Sequence, residues 1–361
     1  MKLKSLYLRS SFDNGGTETL LLNLFNYPQS QIQFHYAFLK DGNLIVRLKS
    51  DTNKYYKVFR KSKIDFGVLF KLSRIIKSEN IKVVHTMMFE LFYAVLLKLW
   101  HPGLRIFHTI HGYFEENNVW APKFESILIL FTKCTFTVSN AARNILIEKG
   151  YPNKKIKVLY NAVSLPSIAS LDEMKAFKDK IKYHPNNIIA GMIGDFVWWK
   201  DQITIIKAYN ILKNEIPDLK IVFIGQENEL TEKCKTIVAI EDINKRVFFL
   251  GSLENASKYL TVFDLFIMST TMDTFGIVVI EALMQEIPVI ASEIEVMKEL
   301  SDNGRYFDLF EKQNPEKLAE KIKILCNKEE PTKTKDALQY SLNIYSYEKY
   351  INNLKEIYSS V

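Results

Sequence analysis

Residues 269–292 read STTMDTFGIVVIEALMQEIPVIAS, and the fold assignment begins here. An apolar strand ends near Ser269, a polar loop carries Asp273, and a helix is expected to begin around Gly276. A second apolar strand, Pro288–Ala291, follows that helix. A strand, a loop, a helix and a further strand in this order predict a βαβ unit, in which the two strands run parallel.

The same alternation of strands and helices continues on both sides of this stretch. A first series of predicted strands comprises Ser5–Leu8, Phe34–Phe38, Lys82–His85, Arg105–Ile110, Thr135–Val138 and Lys157–Tyr160. A second series comprises Ile188–Ile193, Lys220–Ile224, Arg246–Leu250, Leu265–Met268 and Pro288–Ala291. Nearly continuous β-branched and aromatic strands are typical of parallel sheets that helices cover on both faces. A polar segment, 164–187, separates the series, so we expect two doubly wound α/β domains.

Length and composition also indicate a globular protein with two domains. The chain has 361 residues, 47% hydrophobic and 25% charged, and domains average roughly 150 residues. Its three cysteines are far apart and match no zinc-binding spacing, which favours free thiols in a reducing compartment. The first residues, MKLKSLYLRSSF, predict a β-strand rather than a signal peptide. The most apolar stretch, Met87–Trp100, is interrupted by Glu90 and Lys98 and is too short to span a membrane, so we interpret it as a buried helix.

The charge is mildly basic, with a formal net charge of +7. It lacks the concentrated basic stripe of a nucleic-acid-binding protein, so no nucleic-acid partner is expected. It suits an enzyme with phosphate-bearing substrates or one that contacts an anionic lipid surface. The most basic segment, Lys54–Lys63, is interpreted as a solvated loop or edge strand in preference to a membrane contact.

Candidate ligand-binding residues follow the predicted strands, where open parallel sheets bind their ligands. Gly15 and Gly16 lie between the first strand and a helix, and their amides suit a phosphate, although a plain tight turn explains them equally well. Lys200, after the first strand of the second series, has an ammonium that can pair with a diphosphate. Glu281 lies in a helix that is otherwise apolar on every side. A carboxylate buried there needs a partner, either a ligand hydroxyl or the local backbone.

These motifs together resemble the retaining glycosyltransferases of family 4. The resemblance rests on the spacing from Asp273 to Glu281, the pair Phe275–Gly276 that lies between them, and the runs EAL and PVIAS that follow. Further segments similar to that family are GGTE at 15–18, TIHG at 109–112 with His111, VFIG at 222–225, VFFLG at 247–251 and the C-terminal stretch 345–358. The resemblance covers nearly the whole chain.

The resemblance implies the GT-B fold, with two Rossmann-like doubly wound domains that face each other across a cleft. The domains expected from it are an acceptor-binding domain, 1–164, and a nucleotide-sugar-binding domain, 165–345. A C-terminal helix, 346–361, is expected to cross back and pack on the first domain.

The implied activity is transfer of a sugar from a nucleotide-diphosphate donor, UDP-linked in preference to GDP-linked, with retention of anomeric configuration. The implied acceptor is a glycan or lipid-linked glycan of bacterial surface polysaccharide, made in the cytoplasm or at the inner face of the membrane. The catalytic residues implied are His111, Lys200 and Asp273. The donor-binding residues implied are Gly15, Gly16, Asp195, Lys200, Gly225, Leu250, Thr274, Phe275, Gly276, Ile277 and Glu281. No metal and no cofactor are expected.

Three residues depart from the family pattern. Asp273 stands where the family usually has glutamate, and Thr274 stands where glycine usually follows. Asp195 replaces an arginine that partners the lysine on the donor diphosphate, and a carboxylate there would repel the diphosphate. Either Asp195 points away, or another cation such as Arg143 substitutes, or donor binding is weak. A catalytically impaired partner subunit and a sugar-nucleotide epimerase of the same fold therefore stay as alternatives.

Overall fold

The computed structural model of the chain describes residues 2–13, 15–28, 31–49, 53–62, 64–112, 120–327 and 333–360, with only the backbone of Trp120 and Ala121. The contacts divide the chain into two compact units. The first unit comprises Met1–Ala162 together with Tyr345–Val361, and the second comprises Val163–Ile344. Each unit is built around one parallel β-sheet.

The sheet of the first unit has seven strands in the order β3-β2-β1-β4-β5-β6-β7. The strands are β1 (Leu3–Arg9), β2 (Ile32–Phe38), β3 (Lys54–Lys57), β4 (Val83–Met87), β5 (Arg105–Ile110), β6 (Cys134–Thr137) and β7 (Ile156–Val158). Ser5 of β1 pairs with Phe34 on one side and with Val83 on the other, so β1 lies in the interior. The order of strands along the sheet therefore reverses between β1 and β4.

Helices cover both faces of this sheet. They are α1 (Gly16–Asn26), α2 (Gly67–Glu79), α3 (Glu90–Trp100), α4 (Trp120–Ile129) and α5 (Asn140–Glu148), and the last helix of the chain is α13 (Tyr347–Ser360). Side chains from α1 and α13 share one hydrophobic core with Tyr7 of β1. Side chains from α2, α3, α4 and α5 share a second core with Leu6 and Leu8. Because side chains alternate along a strand, these two cores lie on opposite faces of the sheet.

The helix α13 is fixed to the first unit by polar contacts as well as by packing. The Tyr358 side chain is fully buried, and its hydroxyl lies in hydrogen-bond contact with His85 Nδ1. The other ring nitrogen of His85 lies 2.6 Å from Thr109 Oγ1. Arg105 Nη1 donates to the carbonyl of Tyr358 (2.6 Å), and the Tyr347 hydroxyl donates to the carbonyl of Leu20 (3.1 Å). His85 therefore has a structural role, as its position at a strand end suggested.

The sheet of the second unit has six parallel strands in the order β10-β9-β8-β11-β12-β13. The strands are β8 (Ile188–Ile193), β9 (Leu219–Ile224), β10 (Val247–Phe249), β11 (Leu265–Met268), β12 (Val289–Ser292) and β13 (Asp308–Phe310). Its helices are α6 (Leu171–Lys180), α7 (Gln202–Leu212), α8 (Glu229–Ile240), α9 (Ile277–Met284), α10 (Glu295–Leu300), α11 (Pro315–Cys326) and α12 (Thr334–Tyr345). Here the strand order reverses between β8 and β11.

Every predicted strand has a counterpart whose ends lie at most two residues from the expected ones. The strands β5, β8 and β11 match residue for residue. The edge strands β3 and β13 are short and too polar to be predicted as strands, although a loop or edge strand is expected for Lys54–Lys63. Residues Ala256–Val262 form a 3₁₀ helix.

The interpretation of Met87–Trp100 as a buried helix is wrong for its outer half. The helix α3 exists, but only one of its faces is buried, and Leu99 and Trp100 are exposed. Across the described residues, no helix has both the length and the apolar character that a membrane crossing requires.

We expect Tyr358→Ala to destabilise the first unit strongly, because it removes a fully buried ring and leaves a cavity, at a cost of about 3–5 kcal/mol. Tyr358→Phe should cost less, about 1–3 kcal/mol, because it keeps the ring but deprives the buried His85 nitrogen and the Tyr7 hydroxyl of a partner. Thermal or urea unfolding followed by circular dichroism measures both. Lys355→Ala, on the exposed side of α13, is the matched control. Equal stability of Tyr358→Ala and the control would contradict this packing.

Candidate active site

Each sheet offers a ligand site at the point where its strand order reverses. Open parallel sheets bind ligands outside the carboxyl ends of their strands at such points. In the first unit this point lies between the ends of β1 and β4, and in the second it lies between the ends of β8 and β11. The residues predicted as functional are distributed over these two places, and each place is described separately.

The first unit has a cavity of about 280 Å³ at this point. Arg9 is the last residue of β1, Met88 follows β4, and His111 follows β5, so three neighbouring strand ends contribute to it. Thr17 of α1 and Glu125 of α4 line it from the helices. The cavity therefore brings together a cation, an imidazole and a carboxylate.

His111, a predicted catalytic residue, lies in this cavity with its Nε2 atom buried. Among the described residues, that nitrogen has no hydrogen-bond partner. Burial, together with the positive charge of Arg9 and the neighbouring His108, lowers the pKa of His111 to about 3. The ring is therefore neutral at physiological pH. A neutral ring with an unused nitrogen can donate or accept one hydrogen bond to a ligand hydroxyl.

The charged groups around His111 were not found by reading the sequence. Arg9 donates through Nε to Glu18 Oε1 (3.1 Å) and forms an ion pair with it. The Tyr151 hydroxyl donates to Glu125 Oε2 (2.9 Å), and Glu125 Oε1 lies 3.2 Å from His108 Nε2. The position of Arg9 at the end of a predicted strand was a usable signal. Glu125 lies on α4, which the sequence analysis did not predict.

Gly15 and Gly16 lie where the sequence placed them, at the start of α1. Gly15 is the residue before the helix and has extended backbone, with φ of 177°. A β-carbon on Gly15 would meet the Glu18 carboxylate at 2.5 Å, so this glycine leaves room for the pair between Arg9 and Glu18. Contact of the Gly15 and Gly16 amides with a donor phosphate stays a prediction.

Three glycines lie side by side at the carboxyl edge of the second sheet. Gly194 follows β8, Gly225 follows β9, and Gly251 lies two residues after β10. The Gly225 amide donates to the Gly251 carbonyl (3.0 Å), and a β-carbon on Gly225 would meet the Gly194 carbonyl oxygen at 2.1 Å. Only glycine fits this close approach, so the loops after β8 and β9 meet backbone to backbone at the buried Gly225, with Gly194 and Gly251 half-buried beside it. Leu250, a predicted donor-binding residue, is half-buried next to Gly251.

Lys200 and Asp273, both predicted as catalytic, contact each other. Lys200 Nζ lies 2.7 Å from Asp273 Oδ2, and both side chains are mostly buried. The other carboxylate oxygen, Oδ1, accepts from the amides of Thr274 (2.8 Å) and Phe275 (3.3 Å). The Phe275 amide is thus bound to Asp273, and the donor-binding role of Phe275 stays a prediction. Gly276, with φ of 93°, precedes Ile277, the first residue of α9.

Asp195 does not face Lys200. Its Oδ1 atom accepts from the backbone amide of Gln226 (2.8 Å), so the carboxylate points toward the loop after β9. This is the first of the three explanations left open for the departure from the family pattern. Arg143 is not the substitute cation, because its guanidinium contacts Asn153 and the carbonyl of Ile156 at the amino end of β7.

Glu281 lies in α9 and is half-buried. Burial raises its pKa to about 7, and Ser257 opposes this through a side-chain hydrogen bond. The carboxyl group therefore gains or loses its proton near physiological pH. Such a group can accept hydrogen bonds from a ligand hydroxyl when it is ionised. Within the described residues, no group of three metal-ligating side chains is close enough to hold a metal ion.

Comparisons with known proteins assign the family. A family model described as Glycosyl transferases group 1 matches residues 173–341, and one described as Glycosyltransferase Family 4 matches residues 14–166. The chain belongs to these glycosyltransferases. The resemblance stated from the motifs is confirmed, and this glycosyltransferase is an enzyme.

Named relatives and solved structures extend this result. The chain is 26% identical, over 99% of both sequences, to the capsular polysaccharide biosynthesis glycosyltransferase CapH of Staphylococcus aureus. It is 25% identical, over 64% of its own length and 62% of the relative's, to an Escherichia coli enzyme named UDP-Gal:alpha-D-GlcNAc-diphosphoundecaprenol alpha-1,3-galactosyltransferase. The structure of HepE from Anabaena, in complex with UDP and glucose, superposes with a TM-score of 0.84 at 17% identity and covers 99% of this chain and all of its own. The fold is therefore of the GT-B type, as expected.

The raised pKa of Glu281 predicts a pH-dependent stability. The folded state holds this proton more tightly than the unfolded chain, whose pKa is 4.5. The stabilising contribution is complete below pH 4.5 and is lost as the pH rises through about 7. We expect Glu281→Gln to melt at a higher temperature than wild type at about pH 8 and at a similar temperature at about pH 5. Exposed Glu316→Gln is the control, and identical pH profiles for all three proteins would contradict the prediction.

Proposed function

We propose that this glycosyltransferase transfers a sugar from a UDP-linked donor to a lipid-linked glycan during synthesis of a bacterial surface polysaccharide, with retention of anomeric configuration. A GDP-linked donor is the second choice. The observation that carries the proposal is the contact between Lys200 and Asp273 at the carboxyl edge of the second sheet, beside the backbone of Gly194, Gly225 and Gly251. The Lys200 cation suits the donor diphosphate, and the Asp273 carboxylate suits the sugar. The backbone of the three glycines suits the nucleotide base.

The proposed roles in the second unit follow from charge. Lys200 stabilises the diphosphate as negative charge develops on it, and the amino end of α9 adds positive potential. When the donor binds, the Asp273 carboxylate gives up its contact with Lys200 and accepts hydrogen bonds from hydroxyl groups of the transferred sugar. Ionised Glu281 accepts hydrogen bonds from the ribose. The positive charge needed at the leaving group thus comes from the protein, so we propose that no metal or other cofactor is required.

The first unit is proposed to bind the acceptor. His111, neutral and with an unused nitrogen, contacts a sugar hydroxyl near the reacting carbon. Arg9 lies in the same cavity and is suited to an anionic acceptor, which would compete with Glu18 for the guanidinium group. The name of the E. coli relative states a diphosphoundecaprenol-linked acceptor and a UDP-linked donor, which supports this choice. The S. aureus relative supports a role in capsule synthesis. A location in the cytoplasm, at the inner face of the membrane, is part of the same proposal.

The alternative of a catalytically impaired subunit loses its main argument. It rested on Asp195 repelling the donor diphosphate, but the Asp195 carboxylate is bound to the amide of Gln226. The epimerase alternative has no observation in its favour.

A thermal-shift panel with UDP, GDP, ADP, CMP and NAD, with and without magnesium, tests the donor class. A ligand at about 100 times its dissociation constant adds roughly 2.7 kcal/mol, which corresponds to a shift of several degrees. We expect a shift with UDP that does not depend on magnesium. A shift with GDP alone would change the donor. No shift with any nucleotide would contradict the proposal and restore the impaired subunit. Assays with UDP-sugars and a polyprenyl-diphosphate-linked acceptor, with the product anomer read by NMR, then test retention.

We expect Lys200→Ala to lower turnover by about 10²–10³-fold, because it removes the cation at the leaving group. Its effect on stability should be the smaller one, about 1–3 kcal/mol, because the mostly buried Asp273 carboxylate loses its ion pair but keeps its two backbone amides. Steady-state kinetics and thermal melting measure the two effects, with exposed Lys312→Ala as the control. Full activity of Lys200→Ala would refute the assignment of the diphosphate site.

A further inference from the structure

The helices α2, α3 and α4 of the first unit carry an unusual number of exposed apolar side chains. The exposed fraction is 62% for Phe70, 75% for Leu99 and 51% for Phe131. We define the apolar face by six exposed residues, Phe66, Phe70, Leu99, Trp100, Ile127 and Phe131. Single exposed apolar residues are normal on a protein surface, but a contiguous set marks an interaction site.

The apolar face is continuous across the three helices. The rings of Phe70 on α2 and Trp100 on α3 lie 5.1 Å apart, and those of Phe92 on α3 and Phe124 on α4 lie 6.2 Å apart. Lys98 Nζ also donates to the carbonyl of Phe131, just after α4 (3.4 Å). The outer side of α3 repeats Phe92, Val95, Leu96 and Leu99 at helical spacing. This is a second apolar stripe opposite the one that faces the sheet.

Charge indicates what covers this face. The three helices contain five basic residues, Lys71, Arg74, Lys77, Lys98 and Lys123. Of their acidic residues, Glu90 and Glu125 are buried, and Glu79 is bound to Lys54 at 2.9 Å. The outward charge is therefore positive. Burial lowers the pKa of Lys98, and the positive charges of Lys133 and Lys155 lower it further, as expected where positive charge accumulates.

We propose that the apolar face docks the enzyme on a lipid bilayer that contains anionic lipids. The aromatic and aliphatic side chains would enter the region between headgroups and acyl chains, and the basic residues would contact the headgroups. A second copy of the chain is a poor occupant, because a symmetric contact would place the same basic residues against each other.

The position of the face agrees with this choice of partner. Phe89, also exposed, stacks on Phe92 at 5.6 Å between ring centroids, and the residue before it, Met88, lines the cavity of the first unit. Apolar surface therefore runs from the proposed bilayer contact to the mouth of the cavity. A lipid-linked acceptor could remain in the bilayer while its glycan enters the cavity. Only this last step rests on the proposed function.

Binding of the purified full chain to vesicles tests the proposal. Flotation uses vesicles of phosphatidylcholine alone and of phosphatidylcholine and phosphatidylglycerol in equal parts, without any sugar donor. We expect binding to the anionic vesicles that weakens with added salt. The triple variant Phe70→Ser, Leu99→Ser and Phe131→Ser should reduce the partition coefficient at least about tenfold.

The matched control is Val46→Ser, Leu171→Ser and Ile240→Ser, three residues that are at least as exposed but lie outside the face. It should bind as wild type does. Lys71→Glu with Arg74→Glu should abolish the preference for anionic vesicles, and it serves as the test if the triple variant does not fold. The proposal is overturned if wild type binds neither vesicle or if both patch variants bind like the control. It is also overturned if light scattering shows a wild-type dimer that the triple variant converts to monomer.

Because vesicle binding is measured without sugar transfer, its failure is separate from failure of the proposed function. Vesicle binding without any nucleotide binding would support the docking face and contradict the donor assignment. Nucleotide binding without vesicle binding would support the donor assignment and contradict the docking face.

Discussion

A parallel sheet exposes polar backbone and apolar side chains on both faces, so helices must cover both of them. In the first unit α2, α3, α4 and α5 cover one face, and the second face is covered by α1 together with α13 from the far end of the chain. The buried contacts of Tyr358 with His85 and Arg105 fix that helix in place. His85 also contacts Thr109 of β5, the strand that His111 follows. The helix α13 and the sheet edge that carries His111 are therefore joined through His85.

In each unit the cation nearest the proposed ligand is already paired with a carboxylate. Arg9 contacts Glu18 in the first unit, and Lys200 contacts Asp273 in the second. A mostly buried cation without a partner would be costly, so these pairs stabilise the empty sites. The two ion pairs also limit which ligands can bind. A group that displaces the carboxylate must offer more negative charge or more hydrogen bonds than the carboxylate does, as a diphosphate can.

The sequence predicted the two parallel sheets and the residues at the strand ends, because these depend on local periodicity and on the geometry of parallel strands. It could not predict which groups meet across a strand end. The pairs of Asp273 with Lys200 and of Asp195 with Gln226 join residues 73 and 31 positions apart, and a departure from the family pattern at Asp195 looked harmful until its partner was known. The cluster of Glu125, Tyr151 and His108 depends on α4, which has no strong sequence signal.

The helix α3 shows a limit of periodicity itself. A helix that is apolar on all sides is expected to be buried in the protein core, because this expectation compares the core only with water. For α3, one side faces the sheet, and the other is only partly covered: Phe92 is half-buried, and Leu99 is exposed. A bilayer is a second apolar environment, and its anionic headgroups add a requirement for positive charge that a protein core does not have. If the apolar face docks on a bilayer as proposed, the charge that distinguishes it from a protein core comes from Lys71, Arg74 and Lys77 on α2, the helix that carries Phe70.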